Sequence, residues 1–445
     1  MNQTRLAVAV LLVFLTAASW AAVLGGKAAE MSRFSQTLEQ ARTEEAQGLY
    51  ARAISSYEDA LSQKRQRALY EDLDRVYALY YQEDPSGTVR NRYTDMLTRA
   101  NADYPKETAF WERHIQIYLD QKDYTKAVKI LRRAQDKDVS SETLEKQFQS
   151  AYYVFKTGYQ SYPQLLPGCW KGDYVVQTDG ENWGMVTSDG SAVLSGVYPV
   201  MGPAGTSGRV AVTDGDGMSW LVDAKGVKQV RYEQTLAEAG CWSEAVLPAR
   251  LAEADIWSYL SDDGQTLLTG YLKAGSFYDG KAAVQTDEGW LIIDENGTPV
   301  SEERWEDIRL NADGDFRQDG CILAKSDGQW HIYSTSWKAQ GEFQCDDIDV
   351  CVDGPIAFCK DGLWGFVSPK GKVLIEPAYE QARSFSGGTA AVCRDGLWGF
   401  IDEEGREVVA PQFADAGYFD PKADCCPVRL ADTEEWRFIQ WVVER

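Results

Sequence analysis

The apolar positions of this chain follow two different periods. Between about Glu30 and Ser161 they recur at i, i+3, i+4 and i+7, as in Tyr50, Ala53, Ile54, Tyr57, Ala60 and Leu61, which predicts amphipathic helices. A second helical stretch runs through Trp111, Tyr118, Tyr124, Ala127, Val128, Leu131 and Ala134. The tyrosines Tyr50 and Tyr124 leave room between them for one more helical pair, roughly Ala68–Tyr104, broken at Asp84-Pro-Ser-Gly87. A last helix is expected over about Ser140–Tyr159.

Beyond Pro163 and Pro167-Gly168 the pattern changes to short β-rich runs separated by turns. Ala391-Val392-Cys393 leads to Asp395-Gly396, Trp398 to Ile401 leads to a turn ending in Gly405, and Val408-Val409 closes the meander. Asp-Gly between such runs is a hairpin signal, because glycine reaches positive φ without steric cost. The meander recurs. Trp183, Trp220, Trp257, Trp290, Trp330, Trp364, Trp398 and Trp436 stand 37, 37, 33, 40, 34, 34 and 38 residues apart. Such a period means one supersecondary motif repeated, since a single copy cannot bury its own apolar face. A glycine follows the tryptophan by seven residues at Gly190, Gly264, Gly297, Gly371 and Gly405, and by six at Gly226.

The string Asp361-Gly-Leu-Trp364-Gly-Phe-Val367 and its neighbour Asp395-Gly-Leu-Trp398-Gly-Phe-Ile401, each followed by x-x-Gly and a later Pro-x-Tyr or Pro-x-Phe, resemble the bacterial WG-repeat family over roughly residues 166–445. Asn182-Trp183-Gly184 carries the same signature, whereas Trp220, Trp257, Trp290, Trp330 and Trp436 lack the glycine. That family is defined by its repeat and not by a reaction, so the resemblance implies an all-β repeat domain without particular chemistry. Three or four antiparallel strands in about 36 residues suit a β-propeller blade, and eight copies can close a ring. An open superhelix of β-hairpins is the alternative. In the first half, Gly48-x-Tyr50-x-x-Ala53 and the Trp111 to Ala134 stretch resemble tetratricopeptide repeats.

The expected organisation is therefore residues 1–29 as an N-terminal membrane anchor or signal, 30–162 as a tetratricopeptide-like α-helical domain, and 163–445 as a WG-repeat all-β domain. Residues 6–26 carry no charge and are long enough to span a bilayer as a helix. A cleaved signal has a shorter apolar region. The expectation is a single-pass transmembrane helix with the following domains extracytoplasmic, the alternative being secretion after cleavage.

Charge is unevenly placed. Residues 1–165 hold 22 basic and 21 acidic side chains, whereas residues 166–445 hold 23 and 47. The β domain is strongly acidic, which disfavours nucleic acid as a partner, because phosphate binding needs concentrated Lys and Arg. All nine cysteines lie there. Cys359 and Cys393 occupy equivalent strand positions and read as small packing residues. Cys345, Cys351, Cys425 and Cys426 are disulfide candidates if the domain is extracytoplasmic. Their spacing is not that of a zinc site.

Candidate chemistry is sparse. The only histidines are His114 and His331, and no nucleophile elbow, metalloprotease helix, Walker loop or dinucleotide motif occurs. Asp214-Gly-Asp216-Gly and Asp294-Glu-Asn296-Gly resemble fragments of calcium loops, without the distal glutamate. The periodic tryptophans read as packing elements. The β-domain tryptophans outside the period, Trp170, Trp242, Trp305, Trp337 and Trp441, are where a ligand-binding surface is expected, the first four being the candidate ligand residues. No catalytic residue, metal ligand or cofactor is expected. The function expected is a non-enzymatic protein- or glycan-binding scaffold at the bacterial cell envelope. The alternative is a carbohydrate-active hydrolase using paired carboxylates of the β domain.

Overall fold

The computed structural model describes residues 29–165, 173–177, 179–204, 208–420 and 424–443. It divides into two compact parts, Met1–Tyr152 and Tyr153–Arg445. The apolar segment 6–26 lies outside the described residues, and no described helix is long and apolar enough to cross a membrane.

The helical domain consists of α1 (29–46), α2 (Tyr50–Gln63), α3 (Arg67–Glu83), α4 (Gly87–Asp103), α5 (Thr108–Asp120), α6 (Tyr124–Gln135) and α7 (Glu142–Tyr152). The pair expected over Ala68–Tyr104 is α3 and α4, and its break falls where Asp84, Pro85 and Ser86 interrupt the periodicity. Ser86 caps α4 by accepting from Val89 N at 3.4 Å, and Asp123 caps α6 by accepting from Lys126 N at 3.2 Å. The periodic residues Ile54, Tyr57, Leu73, Val76, Tyr93, Met96 and Leu97 form one buried cluster, in which Tyr77 and Tyr93 stack at 5.2 Å. The last helix is shorter than expected. It ends at Tyr152, because the following residues are drawn into the β domain.

The β domain is a series of antiparallel meanders. The sixth repeat shows the pattern: Asp347–Ile348, Ile356–Lys360, Leu363–Val367 and Val373–Tyr379, joined in that order. The short first strand brings the repeat to four strands. Between the second and third strands, Asp361 and Gly362 both take positive φ, 53° and 80°, the two-residue turn that matches strand twist. The fourth repeat departs from the pattern. It keeps three strands, and its fourth is reduced to the isolated pairs Trp290–Trp305 and Ile293–Pro299.

Repeats seven and eight share one seven-stranded sheet. The long strand Glu407–Ala416 pairs first with the Trp398 strand and then, through Phe413 to Ala416, with Cys425–Leu430. It is thus the last strand of repeat seven and the first of repeat eight. Repeat eight continues through Trp436–Trp441 and finishes with Phe155–Thr157, the first strand of the domain, with Phe155 opposite Trp441 and Thr157 opposite Ile439. The division from the helical domain therefore falls at Tyr152/Tyr153 and not at 162/163. The intervening residues complete the last repeat.

Buried clusters occupy every junction between consecutive repeats. One joins Val175 and Met185 of repeat one to Val210 and Val222 of repeat two, and also to Cys425 and Phe438 of repeat eight. Others join two to three, three to four, four to five, five to six, six to seven and seven to eight. Eight junctions for eight repeats make a closed ring, which removes the open superhelix. Closure also explains the composition of the strands. Second strands read as unbroken apolar runs, such as Val210-Ala211-Val212 and Ala390-Ala391-Val392, because neighbours cover both of their faces. The fourth strand Val373–Tyr379 alternates in burial, because only one face is covered.

The glycine of the Trp-Gly pair has a steric cause. A Cβ on Gly365 would stand 2.6 Å from the carbonyl oxygen of Ile375, and one on Gly184 2.8 Å from that of Leu194. In each case the pairing register shifts at that point, so the neighbouring strand bulges across the glycine. Where the partner strand runs past in register, as at Leu221 opposite Val230, a side chain is accommodated.

Candidate binding surface of the ring

The periodic tryptophans pack between strands. Trp290, Trp330 and Trp398 are buried, and Trp183, Trp220, Trp257, Trp364 and Trp436 are half-buried against the junction clusters. Two of them carry a repeated clamp. Arg309 lies over Trp330 at 4.6 Å and reaches Asp347 of the next repeat at 2.7 Å. Arg383 lies over Trp398 at 5.2 Å and reaches Asp415 of the next repeat at 3.0 Å.

Among the described residues the tryptophans outside the period do not form one surface, and Trp441 is buried where repeats seven and eight meet. Trp170 lies outside the described residues. Trp305 is buried and stacked at 4.1 Å on Trp337, which holds a φ of 59°. The Trp337 ring therefore covers Trp305 and withdraws it from any ligand. Trp242 belongs to another junction, where the Arg209 guanidinium sits 4.4 Å above its ring and its buried Nε1 has no partner.

The loops that follow each short first strand carry functional groups that no sequence motif marks. Contacts between non-adjacent repeats place them at the inner rim, because only near the axis can repeats two apart touch. Tyr418 of repeat eight donates to both carboxylate oxygens of Asp349 of repeat six, at 2.6 and 2.7 Å. The Cys241 thiol of repeat three faces the Ala312 carbonyl of repeat five at 3.6 Å. Hydrogen bonds link these loops in succession: Ser276 Oγ to Cys241 O, Ser276 N to Gly314 O, Cys351 N to Gln318 Oε1, Phe385 N to Pro355 O and Ser386 Oγ to Phe419 O. No periodic signal marks the loops, because their lengths differ from repeat to repeat.

Carboxylates gather on this rim. Arg317 is shared between Asp279 at 2.7 Å and Asp315 at 3.3 Å. Asp353 accepts from Gly387 N at 3.1 Å, yet burial, with the charge of Asp319 beside it, raises its pKa. Asp315 is also raised by burial. The rim is therefore rich in carboxylates, with Arg317 set among them. Among the described residues no cluster of three or more His, Cys, Asp or Glu could hold a metal ion.

Elsewhere the carboxylates serve turns. Hydrogen bonds from the Thr187 hydroxyl and Ser191 N hold Asp189 down to about 2. The two calcium-like fragments are turns of the same kind. Asp214 accepts from Asp216 N, Met218 N, Trp220 Nε1 and Lys228 Nζ, and Asp294 accepts from Asn296 N and Thr298 N. Internal donors thus occupy both oxygens of Asp214 and one of Asp294. The disulfide candidates Cys345, Cys351, Cys425 and Cys426 are free thiols. Cys425, for example, lies 2.9 Å from the Tyr174 hydroxyl at the junction of repeats one and eight.

Residues 364–398 and 398–430 match the WG containing repeat. Over those residues the chain is similar to WG repeats. The match covers the two neighbouring copies whose Trp-Gly signature is intact, and it does not extend to the helical domain. No curated protein matches the chain. Among solved structures, the Dos1 propeller is similar at 10% identity, over 66% of this chain and 95% of that one, with a TM-score of 0.40. The ring rests on the strand pairing and junction clusters described above, not on that likeness.

Proposed function

We propose that this protein is a non-enzymatic scaffold of the bacterial cell envelope, in which a tetratricopeptide-like domain and an eight-bladed WG-repeat ring each present a binding surface. The partner of the ring is a protein with a basic segment. The observation that supports this reading is the convergence of Asp279, Asp319 and Asp353 from three successive repeats on one rim. The net charge of the β domain steers a cationic partner toward it. The N-terminal apolar segment holds the protein at the membrane and places both domains outside the cytoplasm.

Binding of a lysine-rich peptide to the full chain, measured across a salt series, tests the ring. Affinity should fall with rising salt, and Asp319→Asn with Asp353→Asn should weaken binding about tenfold or more. Salt-independent binding, or none, refutes the assignment. A glycan hydrolysis abolished by Asp353→Asn would replace the scaffold with the hydrolase. Protease shaving of intact cells tests the location, since release of the β domain is expected only if it faces outward.

A further inference from the structure

The helical domain holds an open cavity of about 330 Å³ lined by α4, α5, α6 and the turn after α6. At its floor are Asn101, 4% exposed, and His114, 2% exposed, with the amide nitrogen 3.4 Å from the imidazole Nδ1. The amide oxygen of Asn101 is buried and has no hydrogen-bond partner. An unpaired buried oxygen is destabilising unless a donor reaches it. Trp111 cannot supply one, because its Nε1 is committed to the Pro105 carbonyl at 2.9 Å. Burial and the charge of Arg133 push His114 down to about 4, so the floor is polar and uncharged at neutral pH.

The walls and mouth differ from the floor. Trp111 and Ile130 supply apolar walls. Arg133 and Lys137 stand exposed at the mouth, and neither has an ion-pair partner among the described residues. One carboxylate, Asp136, accompanies them, which leaves the mouth net positive. An acceptor at the floor, an apolar slot and cations at the mouth describe a ligand with an N–H, an apolar group and an anion within a few bonds of one another. The volume suits one residue-sized group.

We propose that this cavity binds an N-acylated α-amino acid unit with a free carboxylate. Its N–H donates to Asn101 Oδ1, its side chain lies between Trp111 and Ile130, and its carboxylate meets Arg133 and Lys137. Free N-acyl amino acids and peptide C-termini share this chemistry. The site lies in a different domain from the acidic rim and does not depend on the ring's partner.

The test is calorimetric titration of the full chain with N-acetyl-L-leucine, and separately with an acetylated pentapeptide ending in leucine. Saturable binding of either supports the site, and the tighter of the two identifies the source. Esterifying the carboxylate or N-methylating the leucine should each weaken binding about tenfold or more. Arg133→Ala with Lys137→Ala should do the same, and both positions are exposed, so the fold survives. Asn101→Leu should also weaken binding, with its melting curve showing whether the domain is intact. Absence of saturable binding to both ligands overturns the proposal. So does binding indifferent to esterification, to N-methylation and to the double substitution.

Discussion

Phe155 lies directly opposite Trp441, so the first strand of the β domain is the outermost strand of its last repeat. The turn glycines reinforce the same closure. Gly264 packs against Arg231 in the fourth strand of the preceding repeat, Gly297 against Leu268, Gly371 against Gln340 and Gly405 against Ile375. Gly190 of repeat one finds its counterpart in Gln160, on the segment that follows the closing strand. The ring thus closes with the contact that joins its other repeats.

Breaking this closure should open the ring. Gly158 N donates to Phe438 O at 2.7 Å, and Gly158→Pro deletes that bond. The expected loss is about 1–3 kcal/mol of β-domain stability in urea melts. A fragment beginning at Tyr153 should fold, whereas one beginning at Pro163 should be digested rapidly by protease. Equal resistance of the two fragments would show that the strand is dispensable.

The Trp-Gly pair gives a second test. Gly365→Ala forces a methyl group against the Ile375 carbonyl, a contact that only backbone movement relieves. Gly362→Ala meets nothing within 4 Å and bears only the cost of a φ of 80°, about 1–2 kcal/mol. Gly365→Ala should therefore be the more destabilising of the two in parallel urea melts.

Much of this architecture was legible because tryptophan, Asp-Gly turns and spaced glycines are local signals that recur with the repeat. The break at Pro85 and Ser86 was equally local. The closing strand Phe155-Lys156-Thr157 was not legible as such, because three residues carry no period and their partner lies at the other end of the domain. The strand 407–416, which serves two repeats, hid the boundary between them for a related reason. The inner-rim loops escaped notice because what unites Asp349 with Tyr418 is the ring geometry and not their spacing in the chain. That Trp305 is buried beneath Trp337 was not legible either, because sequence does not reveal that one aromatic covers another.

The arginine clamp separates a half-buried ion pair from an exposed one. Arg383 donates to Asp415 and to the Ala416 carbonyl while lying over Trp398. Asp415→Ala leaves that guanidinium short of a partner and should cost about 1–3 kcal/mol. Arg394 and Glu407, 4.0 Å apart and each nearly half exposed, should contribute below about 1 kcal/mol when Glu407 is replaced by alanine. Equal effects in chemical denaturation would mean that burial adds nothing to the clamp.

Thiol labelling should follow burial. Cys241, Cys321, Cys345, Cys351, Cys393, Cys425 and Cys426 are buried and Cys359 is half-buried. Burial also pushes the Cys345 and Cys425 thiols up to about 12, which withholds the reactive thiolate. In native buffer an alkylating reagent followed by peptide mass mapping should modify Cys359 first among these. The others should react only after denaturant is added. Rapid native labelling of Cys425 would contradict its placement against Tyr174.

Acid should weaken the helical domain through His114. Its pKa falls from an ordinary 6.5 to about 4 in the folded chain, chiefly through burial. Between those values the unfolded chain binds a proton that the folded chain does not. Stability is therefore complete above about pH 6.5, declines as pH falls toward 4, and loses nothing further from this group below 4. The total approaches about 3 kcal/mol. Helical ellipticity followed in urea at pH 7.5, 5.5 and 4.5 should show this decline. His114→Gln should flatten it while lowering stability at pH 7.5. An unchanged slope in the variant would place the acid sensitivity on other groups.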